Sequence, residues 1–173
     1  MISKDMCLIS IVSIIIAIIL IVTDQLIKSW AVNELMPIHT MDFIKFGETD
    51  VLALTYVQND GAAFSSFSGA KWFLIGLTSL MIVGLIIYAV LDKNKHPFMM
   101  ISIASVIAGG IGNLIDRIRM GYVIDYLDVK LFNFAVFNFA DICVVLGAIC
   151  LIVYILFIEK KENDPNGTID TNS

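Results

Sequence analysis

The sequence predicts an all-α polytopic membrane protein of four transmembrane helices, with a small β-hairpin on the outer face. Two observations carry that class. Hydrophobic residues make up 58% of the 173 positions and charged residues only 16%, with mean hydropathy +0.88, more apolar surface than a soluble domain of this length can bury. The apolar residues also gather into four runs, at about 8–23, 72–91, 98–115 and 142–158, each close to the roughly 20 residues a helix needs to cross a bilayer.

The first run begins at residue 6, is too long for the apolar core of a signal peptide, and is followed by no small-x-small cleavage site. It passes instead into Asp24-Gln25-Leu26-Ile27-Lys28, which predicts a retained transmembrane helix. Asp24 and Lys28 stand at i, i+4 in the favoured order for a helix ion pair. A structural salt bridge at the membrane surface and a role in orienting lipid or substrate both fit. In the following loop, 43–46 and 51–57 are strand-like runs separated by Gly47-Glu48-Thr49-Asp50, a hairpin signature. Next comes Gln58-Asn59-Asp60-Gly61-Ala62-Ala63-Phe64-Ser65, which reads either as an ordinary turn or as a set of backbone amides with little side-chain cover.

The second run ends in Asp92-Lys93-Asn94-Lys95-His96-Pro97, a polar turn with proline placed to open the third helix. On that helix, Ala108 with Gly112 and Ser105 with Gly109 have the small-xxx-small spacing that lets helices press together. Asn113, Asp116 and Arg117, at i, i+3 and i+4, share one face at its end. The chain closes on Glu159-Lys160-Lys161 and a polar, turn-rich stretch, so 1–162 reads as one membrane domain and 163–173 as a disordered tail.

Lys4, the pair Lys93 and Lys95, and the pair Lys160 and Lys161 flank spans on one side, which positive-inside logic makes cytoplasmic. Lys28, Lys45, Lys71, Arg117, Arg119 and Lys130 oppose that bias, spread over longer loops. Both termini are then cytoplasmic, and an even number of crossings puts the 24–71 and 116–141 loops on the same outer face. Asp24, Asn59, Asp116, Arg117, Asp125, Asn138 and Asp141 collect there.

Asp125, in Val123-Ile124-Asp125-Tyr126-Leu127-Asp128, and Asp141, in Phe137-Asn138-Phe139-Ala140-Asp141, bracket the last loop. An aspartate costs on the order of 3 kcal/mol at mid-membrane and less at the interface, so two of them ask for a reason. Singly, Asp141 also reads as a helix N-cap and Asp125 as a loop carboxylate in water, with Asp128 competing for its role. Together they look like two acids sharing one site. Such a pair cannot ionise twice with ease, holds one proton near neutral pH and can activate water.

Other chemistries find little support. The net charge of −5 and pI near 4.8 argue against a nucleic-acid partner. Cys7, Cys143 and Cys150 form neither a disulfide framework nor a zinc site, and His39 and His96 stand alone in loops. HExxH, GxSxG and nucleotide-binding glycine motifs are missing. A transporter with acids along an ion path would carry them deep within its spans.

Five blocks in order resemble the bacterial lipoprotein signal peptidase family, signal peptidase II. They are Asp24-Gln25 with Lys28, Asn59-Asp60-Gly61-Ala62-Ala63-Phe64, Gly109-Gly110 through Asn113 to Asp116-Arg117, Val123-Ile124-Asp125-Tyr126, and Phe137-Asn138-Phe139-Ala140-Asp141. The resemblance implies a monomeric aspartic endopeptidase of the cytoplasmic membrane. It would cut the signal peptide from prolipoproteins just before a diacylglyceryl-modified cysteine, in contact with membrane lipids and without metal or cofactor. By that likeness Asp125 and Asp141 are the catalytic pair, and Asn59, Asn113, Arg117 and Asn138 hold and polarise the site. Asp24 and Lys28 support it, with Gly61, Asp116 and Ala140 in the same matching blocks. The family's fold adds a small extracytoplasmic β-cradle and a short interfacial helix, and the cyclic peptide globomycin blocks its dyad. Tyr126 stands where the family often has phenylalanine. A presenilin-like protease would need a Gly-x-Gly-Asp motif and further spans, which this chain lacks.

Overall fold

Four long helices and a three-stranded antiparallel sheet make up the computed structural model, which describes residues 4–61, 70–93, 95–132 and 134–159. Ala62, Ala63 and the rest of segment 62–69 lie outside the described residues. So do Lys160, Lys161 and the tail to residue 173.

Helix α1 (Lys4–Trp30) continues past the apolar run and past Asp24 and Lys28, ending in a π-helical stretch, Ala31–Leu35. Helix α2 is Lys71–Leu91, α3 is Pro97–Arg119, and α4 is Phe139–Val153 with a π-helical extension, Tyr154–Glu159. All four are long and apolar enough to cross a membrane, and the protein is a multi-pass membrane protein. Asp92 Oδ2 accepts the Lys95 N–H at 2.5 Å in the turn between α2 and α3, and Pro97 stands in the first turn of α3.

Helix α3 is the central element. Of an 18-residue apolar stretch of it 61% is buried, against 6%, 11% and 17% for the corresponding stretches of α1, α2 and α4, and it packs on all three. Small residues make the closest of these contacts possible. A Cβ on Gly109 would run into the Ala140 carbonyl oxygen, and one on Gly112 would meet Asp24 Oδ2 at 2.5 Å. Ser105 Oγ donates across the same interface to the Cys143 carbonyl at 2.9 Å.

Strands β1 (Thr40–Phe46) and β2 (Thr49–Asn59) form the expected hairpin, with Gly47 at φ +62° supplying the left-handed turn residue. Strand β3 (Val123–Val129) pairs antiparallel with β2, giving the order β1-β2-β3. Asp125 is therefore not a loop carboxylate in water but a buried strand residue, 2% exposed. A register shift between Leu54 and Val57, opposite it, breaks the simple alternation by which a strand is recognised. Ala31, Leu35, Leu54, Ile124 and Tyr126 form a buried cluster that fixes the sheet on the end of α1. A separate short interfacial helix is not among the described elements, and segment 62–69 of the first outer loop lies outside the described residues.

Candidate active site

The polar residues of α1, α3, β2, β3 and α4 meet where the sheet joins the helix ends. At the base lies a buried charge cluster. Lys28 Nζ contacts Asp24 Oδ2 at 3.0 Å and Asp116 Oδ2 at 2.9 Å, and donates to Asn113 Oδ1 at 2.9 Å. All three charged side chains are 2% exposed or less. Charges so deep persist only when paired and hydrogen-bonded on every side. Gln25 Nε2 supplies further bonds, to Asp24 Oδ2 (3.1 Å), Asp116 Oδ1 (3.2 Å) and the Gly112 carbonyl (3.3 Å). Asp116 Oδ2 also accepts the Ile124 N–H at 3.3 Å, and Asp24 Oδ1 the Ala140 N–H at 3.1 Å, so the cluster grips both β3 and α4.

Asn113 carries this order upward. Its Oδ1 already faces the Lys28 ammonium, so its Nδ2 must face the other way, where it donates to Asp141 Oδ1 at 2.7 Å. Asn138 Nδ2 donates both to Asn113 Oδ1 (3.1 Å) and to Asp125 Oδ1 (2.6 Å). The second Asp125 oxygen accepts from Asn59 Nδ2 at 2.9 Å, and Asn59 Oδ1 accepts the Gly61 N–H at 3.0 Å. Asp141 is not the N-cap of α4. Asn138 is, and Asp141 is the third helical residue in a capping box: Asp141 N–H donates to Asn138 Oδ1 (3.0 Å) and Asn138 N–H to Asp141 Oδ2 (3.1 Å).

Two carboxylates thus share one asparagine. Burial pushes the Asp125 carboxyl up to about 6, the Asp141 carboxylate adding to the rise while the Asn59 and Asn138 amides and Lys28 work against it. Arg117 lies within electrostatic reach of Asp141, Asp125 and Asp116. Its Nη2 donates to the Gly61 carbonyl at 2.8 Å, and its Nε is buried with no partner among the described residues. Asp128 is outside this network. Burial pushes its carboxyl up, but Lys130 and the Thr55 hydroxyl, which donates to it at 2.7 Å, outweigh that and hold it below the usual range. Among the described residues no three His, Cys, Asp or Glu gather so as to hold a metal ion.

Asp24, Lys28, Asn59, Gly61, Asn113, Asp116, Arg117, Asp125, Asn138, Ala140 and Asp141 are all brought together. Two contributors had no role assigned from sequence. Gln25 is masked by its neighbour Asp24, though its place three residues before Lys28 is a usable signal. Tyr126 offers its phenol oxygen to the Phe139 N–H at 3.1 Å.

Residues 16–157 match the family model described as "Signal peptidase (SPase) II". The chain belongs to the signal peptidase II family. Curated relatives include a lipoprotein signal peptidase of Clostridioides difficile (strain 630), 40% identical over 86% of this chain and 97% of that one. Another, of Lactococcus lactis subsp. lactis (strain IL1403), is 39% identical over 83% of this chain and 93% of that one. A bacterial membrane enzyme solved by the in meso method at 2.3 Å resolution superposes with a TM-score of 0.77 at 28% identity, covering 94% of each chain. A second such enzyme, at 1.9 Å, gives 0.74 at 30% identity over 85% of this chain and 94% of that one. Membership in the family makes the chain a peptidase.

Proposed function

We propose that the protein is a membrane aspartic endopeptidase that removes signal peptides from prolipoproteins, cutting the bond before a diacylglyceryl-modified cysteine. The observation that carries this reading is the pair of carboxylates joined through Asn138. The names of the curated relatives supply the substrate class.

In the pair one acid is ionised and the other protonated. The ionised member takes a proton from a water molecule, whose oxygen attacks the carbonyl carbon preceding the cysteine. The protonated member gives its proton to the carbonyl oxygen, forming a gem-diol. Collapse re-forms the carbonyl as a carboxylic acid and breaks the C–N bond, with a proton passing to the departing cysteine amine. The Arg117 guanidinium, with an Nε–H uncommitted among the described residues, polarises the carbonyl. Because the signal peptide spans the membrane and the cysteine lipid is anchored in the outer leaflet, the scissile bond is held at one depth, which removes much of the entropic cost of positioning.

On this reading both termini face the cytoplasm, and the site opens on the outer face of the bacterial cytoplasmic membrane. The monomer suffices, and globomycin occupies the carboxylate pair. The test is cleavage of a synthetic prolipoprotein by the purified protein, with and without the diacylglyceryl group. Cleavage restricted to the lipidated substrate and blocked by globomycin supports the reading. Indifference to the lipid overturns the substrate assignment.

A further inference from the structure

The first N–H groups of a helix have no partner within it. In α4 each finds an acceptor from a different place. Phe139 N–H donates to Tyr126 Oη at 3.1 Å, Ala140 N–H to Asp24 Oδ1 at 3.1 Å, and Asp141 N–H to Asn138 Oδ1 at 3.0 Å. Of these acceptors, only the phenol belongs to the strand that carries Asp125. Tyr126 is the next residue of β3, and its ring packs with Ala31, Leu35, Leu54 and Ile124, 3% exposed. Its backbone is tied to the same segment, since Tyr126 and Leu127 N–H both donate to the Phe137 carbonyl, at 3.1 and 2.8 Å.

We infer that Tyr126 is a positioning residue for the carboxylate pair. By accepting the Phe139 N–H, its hydroxyl holds the turn that carries Asp141 at a set distance from the strand that carries Asp125. The inference rests on the dyad reading above. Backbone bonds alone stop at Phe137, and the Asn138 side chain reaches Asp125 through rotatable bonds. The phenol, held in an apolar pocket, is the stiff link between the two elements. Without it the half-buried Phe139 N–H loses its acceptor, and the turn is free to shift. Of the charged groups around the pair, Lys28 of α1 and Asp116 and Arg117 of α3 keep their own partners in that event, and Asp24, whose Oδ1 accepts the Ala140 N–H of the same turn, keeps Lys28 through its Oδ2. A change in the pair's titration then reports its separation.

The test is Tyr126→Phe in the full-length purified protein, which keeps the ring and removes the hydroxyl. Cleavage of the lipidated synthetic substrate is expected to show kcat about tenfold lower with KM within about twofold, the pattern of a misplaced reacting group. The carboxyl titration of the substrate-free protein, followed by infrared difference spectroscopy, should move its midpoint by about half a pH unit. Asp125→Asn and Asp141→Asn run beside it. If both are inactive while Tyr126→Phe keeps the wild-type kcat and midpoint, whether or not it melts earlier, the positioning inference falls alone. If either aspartate variant keeps its activity, the dyad reading falls and the inference with it.

Discussion

Asn138 is bonded to both acids at once: its Nδ2 donates to Asp125 Oδ1 at 2.6 Å, and its Oδ1 accepts the Asp141 N–H at 3.0 Å. One amide therefore does two separable jobs, capping α4 and holding Asp125.

Asn138→Ser separates them. Serine caps a helix about as well as asparagine, so the melting temperature should stay within a few degrees, on the scale of the roughly 1 kcal/mol that a lost cap costs. The donor to Asp125 is lost, and kcat should fall about 100-fold, as when one preorganised donor is removed. Steady-state cleavage kinetics beside a detergent melt would separate the two effects. An active serine variant would show that the bond to Asp125 is dispensable.

Lys28 sits between two buried aspartates. Lys28→Met leaves both charges unpaired, which should cost about 3–5 kcal/mol. Chemical denaturation in detergent micelles would read this as a large loss of stability. Adding Asp24→Asn and Asp116→Asn to the methionine variant should recover much of it, and a triple variant as unstable as the single one would refute the charge argument.

The pH dependence follows from Asp125, raised from 3.8 to about 6 in the folded protein, chiefly by burial. Between those values the folded state binds more protons than the unfolded state, so stability falls as pH rises through this window and levels off above about 6. Asp125→Asn should flatten that slope in denaturation measured from pH 4 to 7. Because the Asn59 amide opposes the rise, Asn59→Ala should move the titration midpoint further up.

Gly112 and Gly84 make a paired prediction. A methyl group at Gly112 would strike Asp24 Oδ2 and push it off Lys28 Nζ, whereas nothing lies within 4 Å of a Cβ on Gly84. Gly112→Ala should lose activity and stability together. Gly84→Ala should leave activity unchanged and slightly favour its helix. Parallel melts and cleavage rates would check both.

Much of this site is legible in the chain because the membrane simplifies the reading. Long apolar runs identify spans by composition alone, and a charged residue such as Asp24 at the end of one is conspicuous. The hairpin of β1 and β2 is marked by its turn at Gly47. Strand β3 is harder to see, because Asp125 and Asp128 stand three apart and a register shift offsets the opposing strand. Nor does the order of bonds among Lys28, Asn113, Asn138 and the two acids follow from spacing. It depends on which way two amides point, and Lys28 decides that only once α1 lies against α3. Tyr126 shows the same difficulty, since an aromatic residue in an apolar stretch gives no sign that its hydroxyl will meet a helix end.

On the proposed function, Asp125 and Asp141 together perform hydrolysis. The most direct test is cleavage of a diacylglyceryl-modified prolipoprotein peptide by purified wild type, Asp125→Asn and Asp141→Asn, each shown to be folded by its melting curve. Turnover is expected from the wild type and none above background from either variant. Turnover surviving in either would contradict that function of the pair.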